Sequence, residues 1–167
     1  MRRYRKVWDY LLLIAILLGL FISSSQPYAK QDMRGTIDKL VDEQSLQNRI
    51  GDISIPYGGK DVSLEEKGAA GFIEFFLRKG IHFSVFALLA FSWYRVFSHH
   101  LSFGQALPWS AFCSVMTAAL DEWHQTFTPD RTGMVQDVLL DAAGSVTMLL
   151  IIALNYLYSR RAHRYKM

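Results

Sequence analysis

The sequence predicts an all-α integral membrane protein: a bundle of four transmembrane helices with an extracytoplasmic loop between the first two. The apolar fraction is 51%, yet it is unevenly spread, since four apolar segments flank one polar stretch over residues 26–70. Basic residues gather at the two ends of the chain, which is a topology signal of membrane proteins. An ionisable cluster lies between the last two apolar segments, where charge is costly and usually functional.

The net charge of +3 comes from these two ends and not from a basic face. The basic residues that precede the first apolar segment or follow the last are Arg2, Arg3, Arg5, Lys6, Arg160, Arg161, Arg164 and Lys166. The polar stretch between the first two spans carries six basic and eight acidic residues, the opposite balance. This distribution predicts that both termini are cytoplasmic, and it argues against a nucleic-acid partner.

The first element is a helix over about residues 7–23, which is short for a span of about 20 residues unless Tyr4 and Trp8 anchor it at the interface. A basic start, a short apolar core and Ser23–Ser25 also fit a secretory signal peptide. The residues alone leave both interpretations open. Either one places the amino terminus in the cytoplasm and Gln26 outside.

The external loop, about residues 24–71, has two predicted elements. Apolar spacing predicts a surface helix over 36–48. A β-hairpin is predicted over 53–64 around Gly58-Gly59, although an ordered loop fits equally well. Ser63 to Glu66 matches a capping box, so a helix should begin there. Glycines at 68, 71 and 80 predict that this helix breaks before the membrane, leaving an interfacial segment over 72–77.

The remaining spans are predicted at about 80–97, 106–121 and 134–158, so that residues 1–167 form a single membrane domain. Pro108 suits the first turn of the third span. Ser110, Ser114 and Ala118 recur every four residues, which predicts a closely packed face. The outer half of the fourth span is its polar half.

With this orientation, polar side chains from every span reach the same outer interface. The candidate ligand-binding residues are Lys79, His82, Asp121, Glu122, Gln125, Arg131, Asp137 and Asp141. Asp137 and Asp141 share one face near the start of the fourth span. Asp121 and Glu122 end the third span, where the helix dipole disfavours acids, so they require a cation, hydrogen-bond donors or a shared proton. Arg131 fits either an anionic ligand or a salt bridge to Glu122 or Asp137.

Glu122, His82 and Asp137 are the candidate catalytic residues, as general acid–base groups or ligands to a divalent metal. The alternative is a polar network that only holds weakly apolar helices together. A metal is disfavoured, because Glu122 and His124 are two residues apart and diverge on a helix. No cofactor is expected. His99, His100 and His124 are most simply interfacial histidines.

The chain resembles the VanZ-like family of small bacterial membrane proteins. The resemblance rests on Ser24-Ser25-Gln26-Pro27, on Arg78-Lys79-x-x-His82-Phe83, and on Asp121-Glu122-x-His124-Gln125 followed by Pro129-x-Arg131, Asp137 and Gly144. Asp141 departs from the pattern, where the family is expected to have Asn. The resemblance implies an envelope membrane protein that keeps its first helix, and the family's namesake confers low-level teicoplanin resistance.

Three functional classes follow from these features. The first is a non-catalytic binding protein for a membrane lipid, a lipid-linked cell-wall precursor or an amphiphilic antibiotic, which on the family resemblance would modulate susceptibility to teicoplanin-type glycopeptides. The second is a membrane-embedded acid–base enzyme acting on a lipid-linked substrate. A small transporter is disfavoured, since the four spans show no inverted repeat. The sequence leaves the oligomeric state open.

Overall fold

The computed structural model describes residues 2–51 and 53–164, and these residues are mostly helical. The elements are α1 Arg2–Ser24, a 3-10 turn Tyr28–Lys30, α2 Arg34–Ile37, α3 Glu43–Ile50, β1 Ser54–Tyr57, β2 Lys60–Ser63, α4 Leu64–Phe97, α5 Phe103–Gln125 and α6 Val135–Arg164. The helix α4 contacts α1, α5 and α6, so the long helices form one bundle around it. Among the described residues, Tyr4–Ser24 and Val135–Ala162 are long and apolar enough to cross a membrane.

The core of the bundle lies where α4 meets its neighbours. Phe86, Leu89 and Ala118 are fully buried and are joined by Leu13 and Val96. The small-residue face predicted for α5 is confirmed, since Ser110, Ser114 and Ala118 are fully buried. Large apolar side chains cover the outside of the same helices, for example Phe112, Leu120 and Leu154. An exposed apolar surface of this extent is typical of contact with lipid or protein.

Gly144 sets the close contact between α4 and α6. A Cβ atom at this position would lie 2.2 Å from the backbone oxygen of Phe83. One residue later, Ser145 Oγ donates to the carbonyl of Phe86 at 3.2 Å. Because only glycine fits against that backbone, α6 approaches α4 closely enough for side chains on the two helices to pair near the start of α6.

The predicted β-hairpin is present. β1 and β2 are antiparallel, with Ser54 opposite Ser63 and Tyr57 opposite Lys60. Gly58 and Gly59 form the turn with φ of 62° and 76°, the left-handed conformation that a tight type I′ turn requires at both positions. The turn residues thus fix the register and leave Tyr57 at the end of its strand, beside the bundle.

The single helix predicted over 36–48 is wrong. The structure has two short helices instead, α2 ending at Ile37 and α3 beginning at Glu43. Asp42 is the N-cap of α3, and its carboxylate accepts from the backbone N–H of Ser45 at 3.3 Å. An Asp that bonds the backbone in this way starts a helix and interrupts one that would otherwise continue.

The start of α4 agrees with the capping prediction in part. Ser63 Oγ accepts from the backbone N–H of Glu66 at 3.2 Å, and the helical path breaks at Gly68, whose φ is 66°. No further break occurs at Gly71 or Gly80, so the predicted interfacial segment and second span are one continuous helix. The cost of about 1 kcal/mol for each helical glycine is offset by the packing of this central helix.

The third helix starts earlier and ends later than predicted. Ser102 is its N-cap and forms a capping box with Gln105, so Pro108 lies inside the helix and not in its first turn. At the other end, α5 continues to Gln125. The acidic cluster therefore occupies the last turn of a helix, where its spacing is fixed.

A polar group that the sequence did not single out joins the start of α1 to the end of α4. Asp9, buried in α1, accepts from Arg95 Nε and Nη2, both at 3.1 Å. Its Oδ2 also lies 2.8 Å from His99 Nε2. His99, expected to be an interfacial histidine, thus also takes part in a part-buried network that joins α1 to α4.

Candidate functional site

The end of the bundle where α6 begins is organised around Asp137, in the first turn of that helix. Its carboxylate accepts from the Lys79 ammonium of α4 and from the Tyr57 hydroxyl of the hairpin. The same ammonium lies 4.6 Å from the Tyr57 ring centroid and 5.4 Å from that of Phe75. Burial, and then the hydrogen bond to Asp137, raises the pKa of Tyr57, which keeps the hydroxyl a donor.

One turn further along α6, Asp141 faces His82 of α4. Asp141 is fully buried, and its Oδ2 lies 3.5 Å from His82 Nδ1. Within the described residues neither oxygen of this carboxylate has a hydrogen-bond partner. Asp137 and Asp141 thus face the same neighbour, as their four-residue spacing requires.

The acids that end α5 are satisfied by donors and not by a cation. Gln125 Nε2 donates to Asp121 Oδ2 at 2.9 Å and lies 3.4 Å from Glu122 Oε1. The backbone N–H of Met134 donates to Glu122 Oε2 at 2.9 Å. All three side chains of α5 are buried. The unfavourable dipole at this helix end is therefore met by two amide groups, one of them at the start of α6.

The loop between α5 and α6 folds back against the helix that it leaves. A Cβ atom at Gly133 would lie 2.5 Å from the carbonyl oxygen of Glu122, so this return requires glycine. Thr128 Oγ1 donates to the carbonyl of Ser24 at 3.0 Å, and Ser24 Oγ donates to that of Asp121 at 3.3 Å. His124 Nδ1 lies 3.2 Å from Ser24 Oγ. The end of α1 is thereby built into the site.

Arg131 lies at the centre of the site but makes neither of the salt bridges considered from sequence. Its Nη2 donates to Gln31 Oε1, and Gln31 Nε2 in turn donates to the carbonyl of Ser23 at 2.8 Å. Among the described residues its buried Nε has no partner. Burial, and then the charge of Arg78, lowers the pKa of Arg131, as expected for a cation short of carboxylate partners.

Three further side chains belong to the site and were not among the candidates. Glu74 is 2% exposed and accepts from the Tyr28 hydroxyl at 2.7 Å and from the Met33 backbone at 3.1 Å. The Arg78 guanidinium lies 4.8 Å from the Tyr28 ring centroid, and its buried Nη1 has no partner in the described chain. The available signal was Glu74, a lone acid within the apolar run 72–77.

These groups surround a cavity of about 480 Å³ between the hairpin, α4 and the α5–α6 loop, which we call the basic cavity. Its charged lining side chains are Lys60, Lys67, Arg78, Lys79, Arg131, Glu74, Asp130 and Asp137. The volume lies within the usual range for small-molecule sites. Of the eight sequence candidates, four line this cavity: Lys79, Gln125, Arg131 and Asp137. His82 and Asp121 line a second cavity beside it.

No cluster of three or more histidine, cysteine, aspartate or glutamate side chains suited to a metal occurs in residues 2–51 and 53–164. The acid–base groups are instead arranged in pairs. Lys79 pairs with Asp137, and His82 faces Asp141. Such pairs can hold or move protons and can orient a bound ligand.

The fold and the site together define a small helical-bundle protein with a polar, cation-rich site at one end. The chain belongs to the VanZ/LLP1 family, whose model matches residues 9–156. The match spans from the buried Asp9 in α1 into the second half of α6, so it includes every candidate site residue, and it confirms the resemblance seen in the sequence. No curated protein and no solved structure matches the chain.

Proposed function

We propose that the chain is a multi-pass protein of the cytoplasmic membrane, with both termini in the cytoplasm, that binds an anionic envelope lipid or lipid-linked cell-wall precursor. Membership of the VanZ/LLP1 family and two helices able to cross a membrane support the setting. The basic residues at the two chain ends support the orientation. In this orientation the basic cavity opens at the outer face.

The observation that carries the proposal is the excess of unpaired cations in the basic cavity. In the described chain, only Lys79 of its five basic residues forms an ion pair. Arg78 and Arg131 each hold a buried guanidinium nitrogen without a partner among those residues. Buried donors left unpaired are costly, and a guanidinium is suited to bidentate contacts with phosphate or carboxylate. An anionic headgroup in the basic cavity would supply acceptors to the guanidinium groups that line it.

The test is lipid retention by the purified full-length chain, measured by native mass spectrometry in nonionic detergent. We expect phosphatidylglycerol to be retained over phosphatidylcholine. Arg78→Gln and Arg131→Gln should each weaken the anionic lipid roughly tenfold, as for loss of a charged hydrogen-bonding partner. Arg49→Gln is the matched control, because Arg49 is exposed on α3, away from the cavity. Equal retention of both lipids, or equal behaviour of all three variants, would contradict the proposal.

We extend this function to glycopeptide susceptibility, on the resemblance to the family's teicoplanin-resistance namesake. A protein that holds a lipid-linked precursor at the outer face would alter what an external glycopeptide can reach. A deletion strain should therefore show altered teicoplanin sensitivity with an unchanged lipid profile. A changed lipid or precursor profile would instead indicate an enzyme.

An acid–base enzyme acting on the same kind of lipid is the second candidate. The observation that favours it is Asp141, a buried carboxylate that faces His82 without a hydrogen-bond partner in the described residues. Glu122→Gln and Asp137→Asn are nearly isosteric and remove acid–base capacity. If chemistry is required, both should abolish the envelope phenotype while the protein remains inserted. Retention of the phenotype in both variants would exclude these two groups as acid–base catalysts.

A further inference from the structure

A second cavity of about 260 Å³ lies between α1, α4 and α5, next to the basic cavity. We call it the crevice. Its lower lining is apolar or small, with Ile16, Gly19 and Leu20 from α1 facing Val85 and Leu88 from α4. Ile81, Leu88 and Gly19 are exposed, so the crevice opens sideways on the apolar flank of the bundle.

The crevice and the basic cavity meet at shared residues. Gln125 and Arg131 line both. The upper end of the crevice is polar, with Ser23, His82 and Asp121 beside Arg131. The two cavities therefore adjoin at Arg131, with a cation-rich chamber on one side and an apolar slot on the other. The change from a charged lining to an apolar one matches the change from headgroup to hydrocarbon chain in an amphiphile.

We propose that the crevice holds the hydrocarbon chain of the lipid whose anionic headgroup occupies the basic cavity. This inference rests on the proposed function and specifies its ligand as a phosphate-bearing lipid engaged through one chain. Arg131 lines both cavities, so a phosphate bound to its guanidinium would lie between the two compartments. The lateral opening lets the chain enter from the lipid phase while the headgroup stays in the aqueous chamber.

The size of the crevice selects one chain. About 260 Å³ is below the range of roughly 300–1,000 Å³ that is usual for small-molecule pockets. Two acyl chains side by side would require the helices to separate. A single chain can enter the slot through its lateral opening, with the rest of its length in the lipid phase.

Gly19 is a position from which a side chain can be added to the crevice. A Cβ atom at Gly19 meets nothing within 4 Å. Gly19→Leu therefore adds a side chain to the open slot and improves local helix propensity. Gly80→Leu is the matched control. Gly80 also has open space around it, but it lines a separate apolar groove on the outer flank of α4.

The experiment measures binding of three probes to the full-length protein by native mass spectrometry: glycerol 3-phosphate, oleoyl lysophosphatidate and dioleoyl phosphatidate. The first two share one headgroup and differ by the chain. We expect the single-chain lipid to bind at least roughly tenfold more tightly than the soluble ester, since burial of a few methylene groups suffices for that factor. Gly19→Leu should remove this advantage, and Gly80→Leu should keep it. The two-chain lipid should bind no more tightly than the single-chain one.

The outcomes separate this inference from the proposed function. If the soluble phosphate binds and Arg131→Gln abolishes that binding, but Gly19→Leu leaves the chain advantage intact, the basic cavity stands and the crevice does not hold the chain. If Arg131→Gln has no effect on any probe, the proposed function itself fails. A melting temperature within a few degrees of wild type confirms that both glycine variants are folded before the affinities are compared.

Discussion

At the residue scale, Glu122 is the acceptor that joins the end of α5 to the start of α6. Its buried carboxylate accepts from the Met134 backbone and lies beside the Gln125 amide. Removal of that acceptor leaves a backbone donor unpaired, at a cost of about 1–3 kcal/mol. We expect Glu122→Ala to lower the free energy of unfolding by about that amount, as measured by denaturant titration of the purified full-length chain.

Glu122→Gln is the control, because an amide oxygen can still accept from Met134. Its loss of stability should stay below about 1 kcal/mol, the usual worth of one neutral hydrogen bond. If Gln and Ala destabilise equally, the charge of Glu122 and not its acceptor role holds the α5–α6 loop. A stable Gln variant is also what makes the phenotype test of acid–base chemistry interpretable.

At the element scale, the site depends on how closely α6 approaches α4. The Cβ of an alanine at position 144 would overlap the backbone of Phe83, which cannot rotate away as a side chain can. We expect Gly144→Ala to destabilise the protein by about 1–3 kcal/mol, in the range of overpacked cores. It should also weaken anionic-lipid retention, since Lys79–Asp137 and His82–Asp141 both bridge these helices.

Gly104→Ala is the matched control for helix propensity. A Cβ atom there meets nothing within 4 Å, so the change should be neutral or slightly stabilising. Thermal unfolding in one detergent, followed by circular dichroism, compares the two variants directly. Equal melting temperatures would show that α4 and α6 can separate without cost.

At the scale of the whole molecule, local patterns predicted the long helices, the hairpin turn and the packed face of α5, because each rests on neighbouring residues. Contacts between distant segments were not predictable in the same way. Arg131 binds Gln31, 100 positions away, and Asp9 binds Arg95, 86 positions away. Partner choice at that range depends on how each helix is rotated. Sequence spacing therefore placed the acids and cations at one end of the bundle without pairing them.

The number of membrane spans is a property of the whole molecule, and the side of the membrane on which Ser98 lies decides it. By length and apolarity, α1 and α6 qualify as spans among the described residues. If only these two cross, Lys60, Ser98 and Thr132 all lie outside. If α4 and α5 cross as well, Ser98 alone of the three becomes cytoplasmic. Charge supports the second arrangement, because Arg95 lies beside Ser98 at the end of α4.

Single cysteines at Lys60, Ser98 and Thr132, in a Cys113→Ser background, test this in intact cells with an impermeant thiol reagent. All three positions are exposed, and Cys113 is the single native cysteine. We expect labelling at positions 60 and 132 without permeabilisation, and at position 98 only after it. External labelling at position 98 would show that only α1 and α6 cross the membrane. In that case α4 and α5 would lie outside the membrane. The crevice between α1 and α4 could then no longer receive a chain from the outer leaflet.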